Sequence, residues 1–258
     1  MKKNLRFFLL LSVFLTVCFQ TKAAIPTMNV ITNVPAYFWY EGCTPTAIAM
    51  VFSYWSLKGY TNLFNAQGSA LYIRANVQDQ ICSPAHIAKY KPPGDVNLPV
   101  PPNTSIACWL KTSVNPLGYG DTSSTNIIPG ITNYSASKGY SFKVSSTNFN
   151  LIPAWKMFTN SIALGQPMVF VIDKNGDKLP DHAVTVIGYE DRGGSTNTNK
   201  WYACYNADTV GANTVNWYQF TGTATNKLYT VAELYQIIPP LLPPMPKNKG
   251  TLILFCSN

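Results

Sequence analysis

Histidine and charge are both scarce in this chain. Only His86 and His182 occur in 258 residues, and charged residues make up 12%. No Lys/Arg cluster is interleaved with aromatics, so nucleic-acid binding has no support. There is no Cys-x-x-Cys pair, and with two histidines a zinc site lacks its ligands. Past the first two dozen residues no apolar run is long enough to span a bilayer. No segment repeats at a fixed period. What is plentiful is apolar and aromatic: 47% hydrophobic, with 15 Tyr and 6 Trp. That composition builds a packed core and excludes a disordered chain.

The start of the chain reads as a leader. A basic Met1-Lys2-Lys3-Asn4-Leu5-Arg6 precedes an apolar run from Phe7 to Phe19 and a small-residue site, Thr21-Lys22-Ala23-Ala24. This is the pattern of a secretory signal peptide over 1–23, with cleavage expected after Ala23 or Ala24. Cys18 is not expected to carry a lipid, because Val17 is bulky for the position before a lipoprotein cysteine. Four of the 19 basic residues lie in the leader (Lys2, Lys3, Arg6, Lys22), leaving 15 against 11 acidic. The expected product is secreted or periplasmic, bacterial and monomeric: one domain over 25–258, made of two lobes, with no stable membrane span.

Five cysteines follow the leader: Cys43, Cys82, Cys108, Cys204 and Cys256. In an oxidising compartment an odd number leaves one thiol over. With Cys43 as that thiol, the expected pairs are Cys82–Cys108 and Cys204–Cys256, each closing within one half of the chain.

Cys43 stands at the mouth of a helical pattern. Thr44 is a capping residue, Pro45 suits the first turn, and Ala47, Ile48, Met50, Val51, Tyr54 and Trp55 recur at helical spacing until Gly59. A thiol there faces first-turn N–H groups and the positive end of the helix dipole, which favours the nucleophilic thiolate. Further helices are expected near 83–86, over 105–112, 126–138 and 152–164, and a short one over 231–237. Strands are expected over 167–173, 182–190, 200–206, 215–220 and 252–255. Proline-rich loops cover 91–102 and 239–246. A helical front lobe carrying the cysteine and a strand-rich back lobe make an α+β fold. His182 opens a strand, placed to act as a general base across a cleft. Asn206 or Asp208, at the end of the next strand, would orient its ring.

Gly42-Cys43-Thr44-Pro45-Thr46-Ala47-x-Ala49-Met50, followed by Tyr54-Trp55, resembles the papain-like cysteine peptidases, in the branch similar to bacteriocin-processing (double-glycine) peptidases. Asp181-His182-Ala183-Val184-x-Val186-x-Gly188-Tyr189 looks like that branch's histidine strand. The resemblance implies a helical N-terminal lobe with the cysteine helix and an antiparallel C-terminal β lobe. It also implies Cys43 as nucleophile, His182 as base, Asn206 or Asp208 as orienting residue, a peptide or protein substrate, and no metal or organic cofactor.

One feature departs from that family. Papain-like enzymes place an oxyanion-binding glutamine some six residues before the cysteine; Tyr37 stands there, with no glutamine between 25 and 43. Tyr37, the indole of Trp39 and the backbone N–H of Cys43 are the candidate replacements. The departure favours one alternative, a weak or inactive binding module on the same fold. A second alternative keeps the same triad and changes the acceptor, a transglutaminase-like acyl transferase or amidase, separable by product analysis with an added amine. The stretch Asp173-x-Asn175-Gly176-Asp177-x-x-x-Asp181 has alternating oxygen ligands. Its glycine falls at the wrong place for a calcium loop and the closing Glu is missing, so it reads as a polar turn. His86 is given a helix-start or packing role.

Overall fold

The protein is described by a computed structural model over residues 27–65, 75–89, 104–113, 120–193, 199–207 and 214–242. The chain opens with a short strand, β1 (Met28–Val30), and then α1 (Cys43–Leu57). Every residue of α1 from Thr44 to Trp55 is buried. A helix apolar all round must be covered all round, and α1 packs against the sheet on one side and against other helices elsewhere. Those helices are α2 (Ala75–Ile81), α4 (Ile106–Leu110) and α5 (Ser124–Ser137), whose Tyr134 stacks on Phe52; α3 (Pro84–Lys89) follows α2. α5 stops where Gly139 takes φ 88°, as its sequence predicts.

The second half supplies the sheet. After β2 (Lys143–Asn148) and α6 (Leu151–Ala163) come β3 (Met168–Asp173), β4 (His182–Asp191), β5 (Lys200–Tyr205), β6 (Asn216–Gln219) and β7 (Thr230–Ile238). The order is β2-β7-β3-β4-β5-β6, every pairing antiparallel, with β1 joined to β4 at Gly188–Glu190. The two faces of the sheet are covered by different helices. On β4, Thr185 meets α1. The opposite face carries Phe170, opposite Val184, and its ring meets Phe158 of α6 at 5.1 Å. Phe158, Phe170, Tyr189, Tyr202 and Phe220 are all 1% exposed or less. Rings of that size contribute about 1.5–3 kcal/mol each on burial. The fold is therefore α+β, with the helical part first and an antiparallel sheet after it.

Besides β1 and α2, which no expected element covers, three departures from the expected pattern have a clear physical reason. Residues 231–237 form the middle of strand β7, not a helix. Thr230, Val231, Ile237 and Ile238 are β-branched, and the segment is held between β2 and β3, a pairing that overrides local helix propensity. β2 went unread because Lys143-Val144-Ser145-Ser146-Thr147-Asn148 is polar, as a sheet edge tolerates. Helix α1 begins at Cys43, with Gly42 as its N-cap and no side-chain cap, so Thr44 lies inside the helix. The 252–255 strand and the 91–102 loop lie outside the described residues.

Candidate active site

The loop ahead of Cys43 is shaped by backbone contacts. Glu41 has φ 52° and Gly42 φ 147°. A Cβ on Gly42 would stand 2.9 Å from the Gly120 carbonyl oxygen and 2.8 Å from Cγ of Pro45, so no side chain fits. Gly120 in turn lies directly on the backbone of Glu41 and Gly42. Thr46 closes the loop from inside the helix: its hydroxyl donates to the Gly42 carbonyl at 2.7 Å and accepts from the Tyr40 N–H at 3.1 Å. The half-buried Cys43 thus sits at the first position of a 15-residue helix, beside N–H groups that have no intrahelical acceptor.

His182 arrives from the sheet as the first residue of β4, opposite Ile172. The turn before it is tied by its own carboxylates. Buried Asp173 accepts from the N–H groups of Gly176 (2.7 Å) and Lys178 (2.8 Å), and Asp181 accepts from that of Lys174 (2.7 Å). These bonds make the segment a polar turn, the reading its sequence favours. Asn206 follows β5 directly and is buried at 1% exposure.

The three side chains meet. His182 Nε2 lies 2.8 Å from Oδ1 of Asn206 and 3.1 Å from the Asn206 carbonyl oxygen. Both are acceptors, so Nε2 carries the proton, and Nδ1 is the nitrogen left to exchange one with the thiol. The Asn206 amide is oriented consistently, its Nδ2 donating toward Tyr218 Oη at 3.5 Å. Burial pushes the Cys43 thiol up. It is outweighed by the hydrogen bond and positive charge of His182, the Ala183 N–H and the Thr44 hydroxyl, so the thiol ionises below its ordinary range. The thiol is thus biased toward its thiolate form, beside an imidazole whose orientation is fixed.

The expected oxyanion donors fare differently. Tyr37 does not face the site: it is fully buried, its hydroxyl shares a 2.7 Å hydrogen bond with Ser53, and its ring stacks on Phe64. Burial pushes that phenol up to about 12, with the Ser53 bond working the other way. Trp39 is half-buried, and its backbone N–H donates to the Ala207 carbonyl at 2.7 Å, joining the lead-in to the residue after Asn206. Asp208 lies outside the described residues.

Cys82 and Cys108 are not bridged to each other, contrary to the expected pairing; each is a thiol. Cys108 is engaged otherwise. The Ser105 hydroxyl donates to its sulfur at 3.2 Å, Ser83 Oγ lies at 3.8 Å, and His86 hydrogen-bonds to it. His86 Nε2 meets the Thr112 carbonyl oxygen at 2.6 Å, so that nitrogen is the donor. Burial raises Cys108, but His86, Ser105 and Ser83 bring it down to about 7. His86 therefore belongs to a second thiol–imidazole pair, within the helical part. Two signals pointed to it: a buried histidine needs partners, and Ser105 stands three residues before Cys108. The partner expected for Cys204, Cys256, lies outside the described residues. A further residue that sequence reading passed over is Thr185, the one hydroxyl in the apolar run from Ala183 to Ile187. Such a group must find an acceptor when buried.

A family model described as the Peptidase_C39 like family matches residues 31–225 of this chain. No curated protein matches it. Among solved structures, the chain is similar to SERA5E from Plasmodium falciparum at 10% identity and TM-score 0.44, over 83% of this chain and 92% of that one. It is also similar to UfSP from C. elegans at 11% identity and TM-score 0.42, over 87% of this chain and 36% of that one.

Proposed function

The chain belongs to the Peptidase_C39-like family, and from that premise we propose that it is a secreted cysteine peptidase acting through Cys43, His182 and Asn206. The observation that carries this reading is His182 held between two partners, with Nε2 on Asn206 and a hydrogen bond to the Cys43 sulfur. The Cys43 thiolate attacks the carbonyl carbon of a peptide bond, and the carbonyl electrons move onto its oxygen. The proton held by His182 passes to the leaving amine as the C–N bond breaks, leaving a thioester on Cys43. Water, deprotonated by His182, then attacks the thioester; the acid leaves and the thiol is restored. The developing oxyanion takes hydrogen bonds from the Cys43 backbone N–H and the Trp39 indole. These steps need no metal or organic cofactor. The working protein is a monomer, its domain spanning 25–258, after removal of the leader 1–23. Among the described residues, no helix is long and apolar enough to cross a membrane.

The test is hydrolysis of a fluorogenic peptide library, with labelling by a thiol-directed peptide electrophile, in the parent and in Cys43→Ala. The variant is expected to lose both, and equal labelling of the two proteins overturns the reading. One observation favours a binding module instead: the Tyr37 phenol, at the position where papain-like enzymes carry a donor, is turned into the core. A parent with no turnover, matched by a Cys43→Ser variant that retains a captured peptide equally well, supports that second reading.

A further inference from the structure

The contact between the helix of Cys43 and the strand of His182 is made at two levels. At the first, the Ala183 N–H meets the Cys43 sulfur. At the second, the Thr185 hydroxyl donates to the Ala47 carbonyl oxygen at 2.9 Å. On the helix these contacts are four residues apart, a rise of about 6 Å. On the strand they are two residues apart, about 6.6 Å, the first made by a main-chain N–H and the second by a side chain. The two spacings match, so both bonds form in a single register between α1 and β4. A slip of either element along the other breaks both.

The second bond does not serve the helix. Ala47 lies in the interior of α1, where its carbonyl already has the N–H four residues on as a donor. The need runs the other way: Thr185 is fully buried between Val184 and Val186, and no water can satisfy its hydroxyl. Ala47 and Ala183, both 1% exposed or less, are small enough to let the two backbones approach.

We infer that Thr185 is a positioning residue that fixes the register of α1 on β4 and so keeps the Cys43 sulfur against the Ala183 N–H and the His182 ring. The inference rests on the reading of Cys43 as nucleophile. It differs from a merely structural role, in which losing the hydroxyl lowers stability and leaves the sulfur's environment unchanged.

The experiment follows the rate of Cys43 alkylation by iodoacetamide against pH, by mass spectrometry of the Cys43 peptide. It compares the folded parent, Thr185→Val and Thr185→Ser, with melting temperatures in parallel. Thr185→Val keeps the shape and removes the donor. Its alkylation profile is expected to move about one unit toward the ordinary thiol range, lowering the rate near pH 6 by about tenfold. Thr185→Ser is expected to stay within about twofold of the parent. If the valine variant does not fold, Thr185→Ala carries the same comparison. A folded Thr185→Val or Thr185→Ala whose profile superimposes on the parent's overturns the inference alone. A parent profile that rises only in the ordinary thiol range overturns the reading of Cys43 itself.

Discussion

Two cysteines in this molecule lie beside an imidazole, and their settings differ in access and in what holds the ring. Cys43 stands at the head of a 15-residue helix and is half-buried, whereas Cys108 lies inside a five-residue helix at 1% exposure. The ring of His182 is held mainly by an amide side chain, that of His86 by a backbone carbonyl. Both thiols are lowered from the ordinary value. A lowered thiol is therefore not enough: the nucleophile must also be reachable, and buried cysteines are inert for want of access.

The largest expected effect sets the two cysteines directly against each other. Cys43→Ala should cost at least about a thousandfold in kcat/KM, while Cys108→Ala should leave it within about threefold, measured on the same peptide. Equal losses would erase the distinction. Next in size is the residue proposed to orient the His182 ring. Asn206→Ala should lower kcat by about ten- to hundredfold with little change in KM, less than His182→Ala does. Asp208→Asn should be silent, and the reverse ranking would assign the role to Asp208.

A third measurement separates ionisation from access. In the folded protein near pH 7, iodoacetamide should label Cys43 at least about ten times faster than Cys108, with the gap closing in urea. Comparable rates in the native state would mean that Cys108 is as reachable as Cys43. The smallest effect concerns the second pair alone. In a Cys43→Ala background, His86→Gln should move the Cys108 titration up from about 7, read as thiolate absorbance at 240 nm. It should destabilise the fold by about 1–3 kcal/mol. Because Cys108 ionises lower in the folded chain than in the unfolded one, its thiolate stabilises the fold at alkaline pH. That contribution is lost as pH falls through about 7. Unfolding of parent and Cys108→Ala across this range checks the sign.

Much of the arrangement could be read from residue order. The Cys43 helix, the strand opening at His182 and the strand ending before Asn206 all carry local signals: a run of apolar residues at helical spacing, a buried β-branched run, and turn residues between them. What could not be read depends on partners distant in sequence. The segment 231–237 looks helical by itself and becomes a strand because β2 and β3 flank it. Tyr37 stands at the right distance before Cys43, yet the side of the backbone its ring occupies is decided by Ser53 and Phe64. Cys82 and Cys108 look like a bridge in a cysteine tally. Ser105 and His86 occupy the Cys108 sulfur instead; Ser105 lies one turn before it at the N-cap of the same helix, but His86 could be matched to it only once α3 and α4 were side by side.

The bare backbones of Gly42 and Gly120, pressed together just ahead of the sulfur, have a consequence for how this protein can vary. A saturation scan would find both positions closed to every side chain from alanine upward, although neither carries a group that takes part in any reaction. Changing the two together would not relieve the clash, since each new methyl would meet main chain and not its counterpart. Drift at these two sites is thus frozen by shape alone.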